Sequence, residues 1–228
     1  MKLILASPTY GGPDPLHQRH LRSAIMHAAR HGHTWIGDAS PDREPFAHAR
    51  NHVVKSVLEA QDETPEEYEG AAILWSDSDM VWSVHGITQL ASRAELEKWD
   101  FMCGIYFQGG ADNYPLIAHF NGKAFQWVIK FPEKCIIPID GCGFGCVLTT
   151  LKMLRALDQP CFEYKDFSED FTFCLNAKKK GYQLYCDTDV MCGHIKEPRI
   201  VTYEDFKKSH PEFLKGEANV TIRSDSAA

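Results

Sequence analysis

Asp77 and Asp79 close a greasy run at residues 71–79, Ala-Ala-Ile-Leu-Trp-Ser-Asp-Ser-Asp. In an extended segment side chains two apart share a face, so this spacing would let both carboxylates converge on one cation. Two hard oxygen ligands with room left for water and phosphate oxygens suit Mg²⁺ or Mn²⁺ better than zinc. The plainer account is a polar turn after a buried strand, because turns are rich in Asp. Ile73, Leu74 and Trp75 favour a site: they read as a fully buried strand, and ligands of α/β sheets bind outside the carboxyl ends of strands.

Other stretches offer chemistry with plainer alternatives beside it. Ser168-Glu169-Asp170 opens a segment with helical character that stops at Gly181; Ser168 suits an N-cap and acids suit the first turn, an account that needs no catalysis. Gly141-Cys142-Gly143-Phe144-Gly145 lacks the spacing and early position of a dinucleotide fingerprint. Its small residues are expected to let a backbone approach a substrate closely. The eight cysteines form no C-x-x-C pair and read as free buried thiols, with a zinc held by Cys142, Cys146 and Cys192 as the alternative. His17, His20, His27, His31 and His33 fall on or beside one helix without a pattern of partner carboxylates, and read as solvated.

The elements that must position these residues alternate. A short strand at 3–6 ends in a loop broken by Pro8, Gly11, Gly12 and Pro13, and Pro15 suits the first turn of a helix running to about 31, with Gly32 just past its end. A second strand at 34–37 precedes a helix opened by Pro45, where Phe46, Ala49, Val53 and Val57 recur at helical spacing, and an acidic loop spans 62–69. After Asp79 come a helix at 87–98, a strand at 101–106 and a polar loop at 108–113. Residues 116–139 alternate loosely around the hairpin signal Asn121-Gly122, so the sheet should turn antiparallel there. A weak helix at 151–157, the helix from Ser168 to about 180 and a last strand at 183–186 lead to Gly193-His194. The tail from Tyr203 is expected to close over the site or to fray.

With 228 residues, 44% hydrophobic and 11% aromatic, the chain suffices for one substantial core. A formal net charge of −7 argues against gripping nucleic acid chiefly through charge. No charged leader with an apolar stretch, and no apolar run of about 18 residues, points to a signal peptide or a membrane span. A cytoplasmic protein, of a bacterium or a phage-infected host, is expected.

The order of these motifs resembles a GT-A glycosyltransferase: Pro8-Thr9-Tyr10-Gly11-Gly12 after the first strand, Ala49-Arg50-Asn51, Asp77-Ser78-Asp79, Gly143-Phe144-Gly145, Ser168-Glu169-Asp170 and Gly193-His194, over roughly residues 3–195. The resemblance implies an α/β fold, a GT-A type Rossmann-like mixed sheet flanked by helices. It implies one domain over 1–228, with a nucleotide-binding half at 1–106, an acceptor half at 107–200 and a C-terminal helix and tail at 201–228. It also implies that Mn²⁺ or Mg²⁺ is held by Asp79 and His194, with Asp77 on ribose or metal. Thr9 and Tyr10 would then lie against base and ribose, Arg50 would reach the nucleotide with its planar fork, and Asp140 and Gly143 would adjoin the donor. Glu169 or Asp170 would hold the acceptor hydroxyl and remove its proton if the reaction inverts. Asn51 has a structural role as its alternative, and Asp140 a turn role.

The donor so implied is a nucleotide sugar, UDP-linked by preference, and the acceptor a saccharide or a hydroxymethylated base in phage DNA. A local basic rim for DNA would draw on Arg19, Arg22, Arg30, Lys178, Lys179, Lys180, Lys207 and Lys208. A metal-dependent nucleotidyltransferase also pairs carboxylates at a strand end, but it wants a basic triphosphate loop near the first strand, and no Lys stands beside Gly11-Gly12. A non-catalytic nucleotide-sugar-binding module is the third possibility.

Overall fold

The alternating signals of the first hundred residues build β1 (Lys2–Ala6), α1 (Pro15–Arg30), β2 (Thr34–Asp38), α2 (Phe46–Glu63), α3 (Pro65–Tyr68), β3 (Ala71–Trp75), β4 (Met80–Val81), α4 (Gly86–Glu97) and β5 (Phe101–Ile105). The rest of the computed structural model adds β6 (Ile117–Phe120), β7 (Phe125–Lys130), β8 (Ile136–Ile139), β9 (Gly141–Cys142), a 3₁₀ turn (Phe144–Cys146), β10 (Val147–Thr150), α5 (Leu151–Ala156), α6 (Glu169–Lys179), β11 (Leu184–Met191), β12 (Gly193–Lys196), β13 (Arg199–Val201), α7 (Tyr203–Ser209) and β14 (Thr221–Ser226). The structure describes residues 1–9, 11–110, 112–196, 199–211 and, for the backbone, 221–226.

A seven-stranded sheet in the order β2-β1-β3-β10-β5-β11-β8 forms the centre. β2, β1 and β3 run parallel, β10 is antiparallel between β3 and β5, β11 is parallel to β5, and β8 is antiparallel to β11. β3 is buried on both faces, and its side chains divide by the period of two that a strand imposes. Ile73 and Trp75 join Val53 and Val57 of α2, Leu154 of α5 and Phe173 of α6. Ala72 and Leu74 join Leu21 of α1 and Leu90 of α4 on the opposite face. Helices therefore cover both sides, the mixed sheet flanked by helices that the sequence implies. Trp75 donates to Thr149 Oγ1 at 2.9 Å and Trp82 to Ser76 Oγ at 2.8 Å, so the buried indoles keep their N–H groups satisfied.

Helix ends follow local chemistry. Asp14 accepts the Leu16 N–H at 2.7 Å before Pro15 opens α1, and Gly32 turns the chain out at φ +88°. Asn121-Gly122 makes the expected hairpin between β6 and β7, with Gly122 at φ +93°.

Several expectations fail for identifiable reasons. β10 has no turn residue between it and α5, so Val147-Leu148-Thr149-Thr150 was hidden against the helix that follows it. The acidic loop at 62–69 instead holds the end of α2 and all of α3. The strand expected at 183–186 runs on to Met191, where Asp187 pairs with Arg93 at 2.6 Å and the Thr188 hydroxyl donates to Pro132 O at 2.6 Å, and β12, β13 and β14 follow it. Of the tail, α7 packs Phe206 into the core and the backbone of β14 pairs with β7, while 212–220 and 227–228 lie outside the described residues. His17 and His33 are buried rather than solvated, each holding hydrogen bonds at both ring nitrogens. Seven of the eight cysteines are buried, Cys135 being exposed. Of the zinc trio, Cys146 and Cys192 meet at 3.3 Å while Cys142 lies against Cys174, and no group of three metal-binding side chains occurs among the described residues. Among those residues no helix is long and apolar enough to cross a membrane.

Candidate active site

The parallel strands finish at one edge, where Ser7 and Thr9 follow β1, Ser40 follows β2, and Asp77 and Asp79 follow β3. A cleft of about 410 Å³ there is lined by Ser7, Thr9, His17, Arg22, Asp38 and Ser40 among others. Thr9 is set by backbone bonds to Pro41 and Arg43, and its hydroxyl is buried without a hydrogen-bond partner among the described residues. Tyr10 lies outside the described residues. His17 fixes the floor: its Nδ1 donates to Met80 O at 2.7 Å and its Nε2 meets Ser7 Oγ at 3.3 Å. Burial lowers its pKa, so the ring is held neutral.

Asp77 and Asp79 take different side-chain partners. The segment between β3 and β4 is a turn closed by Met80 N–H on Asp77 O at 3.1 Å, so the period-two rule of an extended chain does not apply. Asp77 faces inward to Arg50 Nη2 at 3.0 Å. Asp79 faces His194 Nε2 at 3.0 Å and Lys196 Nζ at 3.1 Å. β12 brings both of these partners in: it pairs antiparallel with β4, His194 opposite Met80, and residues 194 and 196 share one side of the strand. His194 Nδ1 donates to the Phe107 carbonyl at 2.7 Å and Nε2 faces the Asp79 carboxylate at 3.0 Å, so both ring nitrogens point at acceptors and the ring is fixed between them. Burial favours the acid form of Asp79, but His194 and Lys196 outweigh it and hold the pKa below the ordinary carboxylate value.

Arg50 is the centre of the second cluster. Its guanidinium is 2% exposed and binds Glu169 at 2.7 Å, Asp170 at 2.5 Å and Asp77 at 3.0 Å. Phe46, Phe144 and Phe162 place rings 5.5–5.8 Å from its Cζ. Three carboxylates raise the Arg50 pKa further despite burial. Burial likewise raises Asp77, with Arg50 opposing, and pushes Asp170 up to about 7. Asp170 also accepts the Phe144 N–H at 3.1 Å. Ser168 stands at the N-cap of α6 without a side-chain cap bond, so the acids that follow it serve the cluster at least as much as the helix end. Asn51 is structural: it donates to Phe162 O at 2.7 Å and accepts Phe162 N–H at 3.0 Å, clamping α2 to the loop before α6.

Two further sequence candidates, Asp140 and Gly143, have protein partners. Asp140 accepts from Lys178, from His119 at 3.1 Å and from Phe120 N–H at 2.9 Å, which together hold its pKa well below the usual range despite burial. Gly143 owes its size to the protein itself, since a Cβ there would overlap the Tyr106 hydroxyl, and one on Gly145 would meet the same ring at 3.0 Å. The expected close approach of a substrate is here an approach of Tyr106. Lys196 escaped the sequence reading, although it carries the same two-residue spacing from His194 that singled out Asp77 and Asp79, and His17 was read there only as a solvated helix residue.

No family model matches the chain, and no curated protein sequence matches it. Solved structures do. A197 from STIV aligns over 100% of this chain and 97% of its own, with a TM-score of 0.58 at 15% identity. GalNAc-T7, solved with UDP, GalNAc and Mn²⁺, aligns over 92% of this chain with a TM-score of 0.50 at 11% identity. This chain spans 47% of the GalNAc-T7 chain. The shared feature is the fold, the GT-A type arrangement that the motif order resembles.

Proposed function

We propose that the chain is a divalent-metal-dependent glycosyltransferase that moves a sugar from a nucleoside diphosphate to an acceptor hydroxyl. The observation that carries this reading is the facing pair Asp79 and His194, the latter oriented by the Phe107 carbonyl, at the strand edge. A carboxylate and an imidazole suit Mn²⁺ or Mg²⁺ once the ion displaces the proton between them. Asp79 and His194 would hold the ion, with Asp77 alongside, and its Lewis acidity would offset the charge that develops on a diphosphate leaving group. Lys196 would turn from Asp79 to the same phosphates. A fold shared with a UDP- and Mn²⁺-bound structure supports the choice of donor.

On the acceptor side, Asp170 is the proton acceptor in this proposal: a carboxyl titrating near neutrality is matched to removing a hydroxyl proton. Glu169, sharing Arg50 with it, orients the hydroxyl. Arg50 holds the acids in place from beneath. The donor base would enter the cleft beside Thr9, where a pyrimidine edge satisfies the orphaned hydroxyl.

Calorimetric titration with UDP, ADP and GDP in Mn²⁺, with and without excess chelator, tests the reading. UDP should bind best, by about 1–3 kcal/mol if the wrong base leaves one buried hydrogen bond unmade, and chelation should abolish binding. A purine preference overturns the uridine assignment; undiminished binding in chelator overturns the metal. Incubation with a nucleotide sugar should release nucleoside diphosphate, whereas pyrophosphate release from a nucleoside triphosphate would identify a nucleotidyltransferase.

A further inference from the structure

Five large hydrophobic side chains are exposed among the described residues: Met26, Phe46, Val84, Leu96 and Tyr164. Isolated exposed aliphatics need no explanation, but both aromatic members of this group border one place. Phe46, 48% exposed at the start of α2, has its ring 5.6 Å from Arg50 Cζ. Tyr164, 61% exposed in the loop before α6, turns its phenol to Glu169, which receives Arg50 Nη1 through its other contact at 2.7 Å. Two open ring faces therefore flank the carboxylates of Glu169 and Asp170. The frame beneath them is rigid, since the mutual Asn51–Phe162 hydrogen bonds lock the loop of Tyr164 to the helix of Phe46.

We propose that Phe46 and Tyr164 form the acceptor subsite and that it takes an uncharged pyranose ring. This rests on the glycosyltransferase reading and names the acceptor class for it. The axial C–H face of a pyranose is apolar and slightly positive, and it stacks on the negative face of an aromatic ring, while the equatorial hydroxyls remain at the edge to donate to carboxylates. Phe46 and Tyr164 supply the faces, and Glu169 and Asp170 the acceptors. Charge separates this occupant from a DNA strand. The cluster sets three carboxylates against one guanidinium, and the Tyr164 loop adds Glu163 and Asp166 around a Lys165 that is already paired to Glu163 at 2.7 Å. A phosphodiester chain would meet like charge there.

Saturation-transfer NMR on the full chain with UDP and Mn²⁺ tests it, using the methyl pyranosides of glucose, galactose, mannose and N-acetylglucosamine and a thymidine tetranucleotide as probes. At least one pyranoside should take saturation on its C–H face, and the signal should fall about tenfold in Phe46→Ala and Tyr164→Ala and return in Phe46→Tyr, as expected when a stacking face is removed and restored. Both wild-type side chains are largely solvent-exposed, and far-UV circular dichroism checks each variant's fold. No pyranoside signal from the wild type, a signal unchanged in both alanine variants, or saturation of the tetranucleotide alone overturns the subsite. Loss of wild-type UDP binding in the same samples would strike the glycosyltransferase reading instead, so the two failures are told apart.

Discussion

The two acidic clusters that follow β3 begin two residues apart and are built on opposite terms. Around Arg50, the guanidinium and Glu169 are buried while Asp170 and Asp77 are half-buried, with Phe144 and Phe162 behind them and both terminal guanidinium nitrogens bonded to carboxylates. Around Asp79 the side chains are open: the carboxylate is 35% exposed and Lys196 44% exposed, and only His194 is buried. In the Arg50 cluster each charge exists on condition that its partner stays, because an unpaired buried ion costs far more than the pair contributes. In the open cluster the partners are exchangeable, since water takes over a lost contact cheaply. A site that must bind and release an ion belongs on the second kind of ground, and a group that must keep a perturbed proton affinity belongs on the first.

The largest expected break of that contrast is Arg50→Met. Stranding one buried and two half-buried carboxylates should cost about 3–5 kcal/mol in chemical denaturation; a midpoint shift equivalent to less than about 1 kcal/mol, the value typical of an exposed pair, would show that the cluster behaves as a surface one. Asp79→Ala should do the reverse, leaving stability within about 1 kcal/mol while Mn²⁺-dependent UDP binding disappears from calorimetry. If unfolding and binding fail together, the open cluster is structural.

Asp170→Asn sharpens the comparison through pH. Asp170 titrates at about 7 in the folded chain against an ordinary 3.8, so between those values the folded state binds the extra proton. Stability should therefore fall as pH rises from about 4 to about 7 and level off above, and the asparagine variant should lose that slope. Turnover should fall by about two orders of magnitude or more with UDP affinity retained, the mark of a group used in the transition state. A variant with an unaltered pH slope and full turnover would return Asp170 to a helix-end role. The smallest effect belongs to Lys196→Ala, which should weaken UDP binding by less than about tenfold and flatten its salt dependence, as expected for one exposed charge. An equal salt dependence in both proteins would remove Lys196 from the phosphates.

Much of this fold was legible because its signals are local. The period of α1 and α2, the buried run at β3 and the Asn121-Gly122 turn can each be read within a few residues. β10 could not, since a strand that abuts a helix without punctuation has no boundary to see. The site was legible in composition and not in geometry. Asp77, Asp79, Glu169, Asp170, Arg50 and His194 were all visible as candidates, but the turn that parts Asp77 from Asp79 depends on the Met80 N–H. The grip of Arg50 on Glu169 and Asp170 crosses 119 and 120 residues. Arg50, expected on the nucleotide, is buried among the acids and is not among the residues lining the cleft beside Thr9. Contacts set by tertiary closure leave no periodicity behind.

The Tyr106 ring fills the space that side chains at 143 and 145 would otherwise occupy, and its hydroxyl accepts the Gly145 N–H at 3.3 Å. Positions 106, 143 and 145 are thus one unit of inheritance. A descendant that gains a methyl group at 143 must first shrink residue 106, and the shrinkage alone opens a hole beside Asp77 and Asp170, whose charges already bear on that phenol. The two-step path crosses a damaged intermediate in either order, so distant relatives of this chain should keep Tyr with Gly-x-Gly or replace all three together.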